Sequence, residues 1–239
     1  NIRMSKATTQ ISNFYAMLPK AYQSAGSIVY ENYENIKIKV PFRMLILGSS
    51  GSGKTNVALN LIKLIGVFTK IYLFAKNTEE PLYAYLIDTL TKLSIRMKKQ
   101  LIVVSNDLDS MPDVDEIDKD ENNLFIFDDL ITTKNQRSIS DLFIRGRKQN
   151  ASVIYISQSY FDIPNLIRKN SDYIIIKKIN TKRDLKSIMK EYNLNDVSED
   201  QLMNMYKSVI AQSFTNFLLL DVNTNDPKLK FRCNFSPMS

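Results

Sequence analysis

The chain has 239 residues, 44% of them hydrophobic and 24% charged, with a formal net charge of +7, one cysteine and no histidine. That size and composition suit one domain with a real core; the lone Cys233 excludes a disulfide framework and most zinc sites, and acid–base chemistry is left to carboxylates, lysine, tyrosine or water. The longest apolar runs, such as Leu124–Phe127 and Ile174–Ile176, fall far short of the ~20 residues that span a bilayer, no N-terminal stretch reads as a signal-peptide core, and a reduced, cytosolic compartment with no membrane partner is expected.

In chain order, "IKIKVPF" (36–42) alternates apolar and polar side chains with the period of a half-buried strand. "RMLIL" (43–47) reads as a buried strand that Gly48 ends. Val57, Leu59, Leu61, Ile62 and Ile65 carry a helical pattern across Thr55–Leu64. "KIYLFA" (70–75) is a second strand. Pro81–Lys92 is a second helix through Leu82, Tyr85, Leu86 and Leu90, and "QLIVVS" (100–105) is a third strand. Residues 106–121 hold eight acids and one lysine. An EF-hand loop counted from Asp107 would put Met111 and Pro112 where an oxygen ligand and a glycine are needed, so a solvated, mobile loop is expected. "NLFIFDDL" (123–130) is a fourth strand ending in two aspartates. Residues 138–148 form a helix with Ile139, Leu142, Phe143 and Ile144 inward. "SVIYISQS" (152–159) and "DYIIIKK" (172–178) are the fifth and sixth strands. Residues 181–212 read as helical with a break near Asn193–Asp196. "NFLLLDV" (216–222) and "KLKFRCNF" (228–235) flank the turn "NTNDP" as a terminal hairpin. Strands alternating with helices, several of them almost wholly apolar, predict an α/β fold with a mostly parallel central sheet and helices on both faces.

The charge is uneven along this order. Residues 1–130 hold 15 basic and 15 acidic side chains, and residues 131–239 hold 17 and 10. The second half offers either a basic face for a polyanion or a solvated lysine-rich exterior. Its candidates for contact with such a polyanion include Lys148, Arg168, Lys169, Lys182 and Arg183.

The glycines carry the first chemical signal. Three of the six lie in "GSSGSGKT" (48–55), which fits G-x-x-x-x-G-K-[ST] between a strand and a helix. Gly48, Ser49, Ser50, Gly51, Ser52 and Gly53 would turn their N–H groups into an anion nest, completed by the helix N-terminus. Lys54 would reach the β- and γ-phosphates of ATP, and the Thr55 hydroxyl would bind Mg²⁺. Asp128, at the C-terminal edge of a buried strand, would hold Mg²⁺ through water. Asp129 beside it would orient or deprotonate the attacking water. The alternative for this pair is an acidic strand end that caps a helix. Gln158 ends the fifth strand, where its amide either meets the γ-phosphate or caps the next segment. In "FIRGRKQN" (143–150), Arg145 and Arg147 either complement a helix C-terminus or reach a neighbouring subunit's nucleotide.

Taken together, "GSSGSGKT … FIFDD … RGRKQNASVIYISQS … KFRCNF" resembles the HerA–FtsK superfamily of DNA-pumping ATPases. Within it, the set is similar to the genome-packaging ATPases of poxviruses, giant viruses and virophages, over about Pro41–Phe235. The resemblance implies a RecA-like phosphate-loop NTPase fold of the additional-strand type. Its sheet order would be 5-1-4-3-2, with the sensor strand between the phosphate-loop and acidic strands, plus a C-terminal hairpin. It implies one ATPase domain: residues 1–40 an extension, 41–180 the nucleotide-binding core, 181–239 the C-terminal helices and hairpin. Lys54 and Thr55 match the phosphate-loop pair, Asp128 the metal-site acid and Gln158 the polar sensor. Arg147 matches the arginine that acts in trans, with Arg145 second. Asp129 stands where the wider superfamily usually has Glu, although an Asp pair resembles the viral branch. The implied cofactors are ATP and Mg²⁺. The implied partners are double-stranded DNA, further copies in a homo-oligomeric ring (pentamer or hexamer) and a capsid or portal component. The implied location is the viral factory of the host cytoplasm, and the virion. The implied function is an ATP-driven motor that loads DNA into a preformed capsid. A helicase or conjugation-type pump of the same superfamily shares these motifs. A GTPase-like switch would want an N-K-x-D motif, which is absent, and a small-molecule kinase would want an arginine-rich lid.

Overall fold

The computed structural model of the chain describes residues 28–130, 136–192 and 197–238. Its strands are β1 (Arg43–Leu47), β2 (Lys70–Ala75), β3 (Ile102–Ser105), β4 (Asn123–Asp128), β5 (Ala151–Ser157), β6 (Tyr173–Ile176), β7 (Leu218–Asp221), β8 (Phe231–Cys233) and β9 (Ser236–Pro237). Its helices are α1 (Tyr33–Ile36), α2 (Lys54–Ile65), α3 (Pro81–Met97), α4 (Gln136–Arg145), α5 (Asn165–Lys169), α6 (Lys182–Glu191), α7 (Glu199–Gln212) and α8 (Pro227–Lys230). The strands form one sheet in the order β3-β2-β4-β5-β1-β6-β7-β8-β9. From β3 to β6 every pairing is parallel, and from β6 to β9 every pairing is antiparallel. The expected order is therefore present, with β5 between β1 and β4 and with β3 added outside β2. Parallel pairing also puts the C-terminal ends of β1–β6 on one edge, which is where such sheets place their sites.

Alternate strand residues feed opposite faces. Leu45, Leu47, Phe74, Phe125, Phe127, Val153 and Tyr155 pack with Ile139, Leu142 and Phe143 of α4, Ile188 of α6 and Val209 of α7. Met44, Ile46, Leu73, Ile126 and Ile154 pack with Val57, Ala58 and Leu61 of α2 and with Tyr83 of α3. Each Val, Leu, Ile, Met or Phe among them contributes about 1.5–3 kcal/mol on burial. Helix starts follow local chemistry: Pro81 opens α3, and Ser198 with Gln201 forms a reciprocal capping box at α7. Arg232 is wholly buried and donates through Nη1 to the Ile36 carbonyl at 2.7 Å, tying β8 to the end of α1. Among the described residues no helix is long and apolar enough to cross a membrane.

Five expectations need correction or refinement. "IKIKVPF" buries alternate residues, Ile36, Ile38, Val40 and Phe42, yet it is no strand beyond one bridge from Val40 to Ile28. Lys37 lies at φ 48 at the end of α1 and Pro41 has no N–H to donate, so a ladder cannot run through the segment. The second helix runs on to Met97 instead of ending near Lys92. The helix expected over 138–148 stops at Arg145, and a 3₁₀ turn, Gly146–Gln149, follows. Ile144 accordingly points outward and is 47% exposed. The acidic segment 106–121 is exposed through its acids, but Leu108, Val114 and Ile117 anchor it into the core. The C-terminal hairpin forms between β7 and β8, with α8 inserted in its connection. The expected break near Asn193–Asp196 lies outside the described residues.

Candidate active site

The loop from Gly48 to Gly53 joins β1 to α2 and is tied on both flanks. Gly48 N–H donates to the Ser157 carbonyl of β5 at 3.2 Å, and Ser49 N–H to the Lys178 carbonyl beyond β6 at 2.9 Å. Asn180 N–H returns a bond to Ser49 Oγ at 2.9 Å. Gly48 must be glycine for want of space: a Cβ there would lie 2.5 Å from Ser52 Oγ and 2.7 Å from Lys177 Cβ. Gly53 is glycine for conformation, with φ 86 where the loop turns into α2. We expect Gly48→Ala to cost about 1–3 kcal/mol of stability through that overlap. A melting temperature equal to the parent's would contradict this packing.

The N-cap of α2 is Gly53, which makes no side-chain cap, so among the described residues its first-turn N–H groups, which have no intrahelical acceptors, are open to an anion. Lys54 Nζ reaches back across the loop, donating to the carbonyls of Gly48 at 2.8 Å and Ser49 at 3.0 Å. Burial pushes the Lys54 ammonium below lysine's ordinary value, opposed by the nearby charges of Asp128, Asp129 and Glu80.

Asp128 ends β4 directly across the edge. Burial raises its carboxyl from 3.8 to about 6, against the hydrogen bond from Tyr83 and the charge of Lys54. Tyr83 donates its hydroxyl to Asp128 Oδ2 at 2.7 Å, and burial together with Asp128 pushes that phenol up. Asp129 leaves the strand at φ 56, a left-handed turn that aspartate tolerates better than most residues, and its side chain is exposed at the edge. Gln158 follows β5 immediately and is exposed there too. Lys54, Thr55, Asp128, Asp129 and Gln158 line one hollow of about 510 Å³, together with Ser50 and Gly51 of the loop.

Sequence reasoning missed two members of this cluster. Thr55 donates Oγ1–H to Glu80 Oε2 at 3.0 Å, and Glu80 lines the same hollow. This fixes the Thr55 proton on Glu80 and leaves the hydroxyl lone pairs for a cation. Tyr83 holds Asp128 as described. The available signal was "NTEEP": an acid five residues beyond a buried strand, just before a helix-opening proline. Its meaning depends on β2 lying beside β4, a fact of tertiary structure. Thr55, Asp128 and Glu80 offer hard oxygen donors that suit Mg²⁺, which needs few protein ligands when phosphates supply the rest.

Arg147 lies elsewhere. It precedes β5, while Gln158 follows the same strand, so the seven residues of β5 separate them, roughly 20 Å at strand rise. Its guanidinium is 57% exposed and donates to both oxygens of Asp172 at 3.0 and 3.1 Å. Arg43 binds the same carboxylate at 2.7 Å. Although burial raises Asp172, the bonds and charge of Arg43, with the charge of Arg147, hold it below the usual range. Arg147 also borders a second hollow, of about 530 Å³, with Lys37 and Lys39. Arg145 pairs with Asp115 at 2.6 Å. The basic candidates do not form one patch. Lys148 and Lys169 stand at the N-terminal ends of β5 and β6, whereas Lys182 and Arg183 follow β6 at the site's edge. Arg168 is taken up in the fold, paired with Glu191 at 3.0 Å and set over the Tyr160 ring.

Comparison with known proteins gives a consistent picture. The family model described as poxvirus A32 protein matches residues 30–222. The DNA packaging protein OPG160 of Variola virus is 26% identical over 196 residues, covering 79% of this chain and 72% of that protein. Among solved structures, the genome packaging NTPase B204 from Sulfolobus turreted icosahedral virus 2, in complex with AMPPCP, superposes with a TM-score of 0.56 at 17% identity. That match covers 83% of this chain and 99% of B204. The DNA-packaging ATPase B204 from Sulfolobus turreted icosahedral virus gives a TM-score of 0.54 at 18% identity, over 84% of this chain and 99% of that one. At these identities the structural likeness establishes the fold.

Proposed function

This chain belongs to the poxvirus A32 protein family, and we propose that it is an ATP-hydrolysing motor that drives double-stranded DNA into a preformed viral capsid. One observation carries the reading. A single hollow gathers an uncapped helix N-terminus, Lys54, Thr55, Asp128, Asp129 and Gln158 at the C-terminal edge of the sheet. The packaging role of OPG160, a relative over most of its length, supports the DNA substrate.

In this scheme the first-turn amides of α2 and Lys54 bind the β- and γ-phosphates of ATP. Thr55 and Asp128 would hold Mg²⁺, which neutralises charge developing on the phosphate oxygens. Glu80 positions the Thr55 hydroxyl. Asp129 orients the attacking water and takes its proton as the water oxygen bonds to the γ-phosphorus and ADP leaves. Gln158, on the strand between the loop and the acids, reads whether the γ-phosphate is present. No chain can bring its own Arg147 to its own hollow. The reading therefore needs a second copy whose Arg147 enters the neighbour's site, and a homo-oligomeric ring, a pentamer or hexamer, is the assembly proposed to supply it. In this scheme Lys182 and Arg183, both exposed beyond β6, contact the DNA backbone, Arg183 from its seat over the Phe161 ring, giving binding that is salt-dependent and indifferent to sequence. A capsid or portal partner and action in the cytoplasmic viral factory belong to the same reading.

Asp129→Asn is the direct test of the chemistry. ATP affinity, measured by calorimetry, is expected to stay within about threefold of the parent, while turnover falls roughly a hundredfold or more. Normal hydrolysis by this variant would move the base elsewhere, and Glu80 is the other carboxylate placed to serve.

A further inference from the structure

The site as described accounts for the phosphates of ATP but not for its base. One aromatic ring beside the loop stands largely exposed. Phe214 is 69% exposed, although it lies in a segment held firmly to the body of the protein. Lys177, itself only 1% exposed, donates Nζ–H to the carbonyls of Phe214 at 2.6 Å and Asn216 at 2.9 Å. Thr215 N–H donates to Ser213 Oγ at 3.3 Å. The backbone is thus fixed while the ring is left in water.

The ring's position is specific. A Cβ built on Gly53 would lie 3.5 Å from two of its carbons, so the ring rests against the phosphate loop at the start of α2. The Lys177 ammonium is 5.3 Å from the ring centroid. β7 runs antiparallel to β6, pairing Leu218 with Ile176, and so the residues before β7 reach the same sheet edge as the loop. The flanks of β1 divide the site. Asp128, Asp129 and Gln158 stand at the ends of β4 and β5, which makes that flank the γ-phosphate end. Phe214 stands on the opposite flank, over β6 and β7, where the ribose and base of a nucleotide held by its phosphates must emerge.

We propose that Phe214 is the stacking platform for the purine base of the bound nucleotide, held in place by Lys177. The inference rests on the nucleotide site argued above and adds the recognition of the base. A flat ring gives stacking without a hydrogen-bond code, so it strengthens binding of a purine triphosphate over a bare polyphosphate. Base–aromatic stacking of this kind supports about a tenfold change in affinity.

The test compares two ligands, ATP and inorganic tripolyphosphate, each with Mg²⁺, by calorimetry. Phe214→Ala is expected to weaken ATP about tenfold and to leave tripolyphosphate unchanged. Phe214→Trp is expected to keep ATP affinity and to report ATP, but not tripolyphosphate, through a change in its fluorescence. If the parent binds both ligands and Phe214→Ala binds ATP equally well, the platform is wrong and the phosphate site stands. Equal loss of both ligands would make the ring a support for the loop and would also overturn the proposal. So would loss of ATP affinity in Tyr85→Ala alone, which would place the base in the apolar groove between α2 and α3 that Tyr85, Leu59 and Leu86 line. A parent chain that binds neither ligand overturns the phosphate reading and the platform together.

Discussion

Asp128→Asn is expected to melt higher than the parent in nucleotide-free buffer at pH 7.5 while losing ATP turnover. The reason is the cost of holding an ionised carboxylate at the end of β4. Burial lifts the Asp128 carboxyl to about 6 from an ordinary 3.8. A group whose folded value is raised costs stability wherever it is ionised, so the full cost is present above pH 6. The cost shrinks as pH falls through the window between the two values and is gone below it. Asparagine keeps an oxygen that can accept the Tyr83 hydroxyl bond, made at 2.7 Å in the parent, and removes the charge. The gain is on the order of 1–3 kcal/mol, and each kcal/mol is worth about 2–4 °C for a domain of this size. Turnover with Mg²⁺ is expected to fall roughly a hundredfold or more, because the acid proposed to hold Mg²⁺ is gone. Thermal melts of both chains at pH 7.5 and pH 5 check the account: the advantage of asparagine must narrow at the lower pH. An equal or lower melting temperature at pH 7.5 would mean that Asp128 is not strained by burial.

Arg147→Ala is expected to reduce ATP turnover by about 10³-fold or more with ATP affinity unchanged. In the folded chain the arginine stands one full strand away from the hollow, so on the proposed reading its effect passes between subunits. Loss of folding is a weak explanation for such a result. Asp172 keeps its bonds from Arg43 at 2.7 Å and from Asn223 at 2.7 Å, so the carboxylate is not left buried and unpaired. The Arg147 guanidinium is 57% exposed, and its own share of this pair contributes about 0–1 kcal/mol. Parent turnover per chain should also rise with protein concentration until the ring is complete. Mixing Arg147→Ala with Lys54→Ala should restore activity, since some interfaces then combine an intact hollow with an intact arginine. Full activity in Arg147→Ala, or turnover independent of concentration, would remove the trans role. Lysine should not replace this arginine well, because its point charge lacks the planar fork that meets two oxygens at once.

Much of this was legible in the chain itself. The loop, its strand and its helix are local, and "GSSGSGKT" between an apolar run and a helical pattern identifies them. The aspartates of "FIFDD" and the glutamine of "YISQS" are legible because apolar strands deliver whatever follows them to one sheet edge. Glu80, Tyr83 and Phe214 were not legible, since each reaches the site only through pairings distant in sequence. Glu80 and Tyr83 depend on β2 lying beside β4, and Phe214 on β7 folding back against β6. "IKIKVPF" shows the converse. Its alternation reports burial correctly, but burial alone does not supply a neighbouring strand. The basic excess of the second half likewise did not predict a patch, because β5 and β6 carry its charges to opposite ends of the sheet.

The central claim is that ATP hydrolysis in this hollow moves double-stranded DNA. Displacement of a third strand annealed to a linear duplex, followed in time with ATP, with a non-hydrolysable analogue, and with Asp129→Asn, measures it directly. The account predicts displacement by the parent chain with ATP only, with a lag that lengthens as the triplex is moved farther from the duplex end. DNA-stimulated hydrolysis by the parent without any displacement would contradict it.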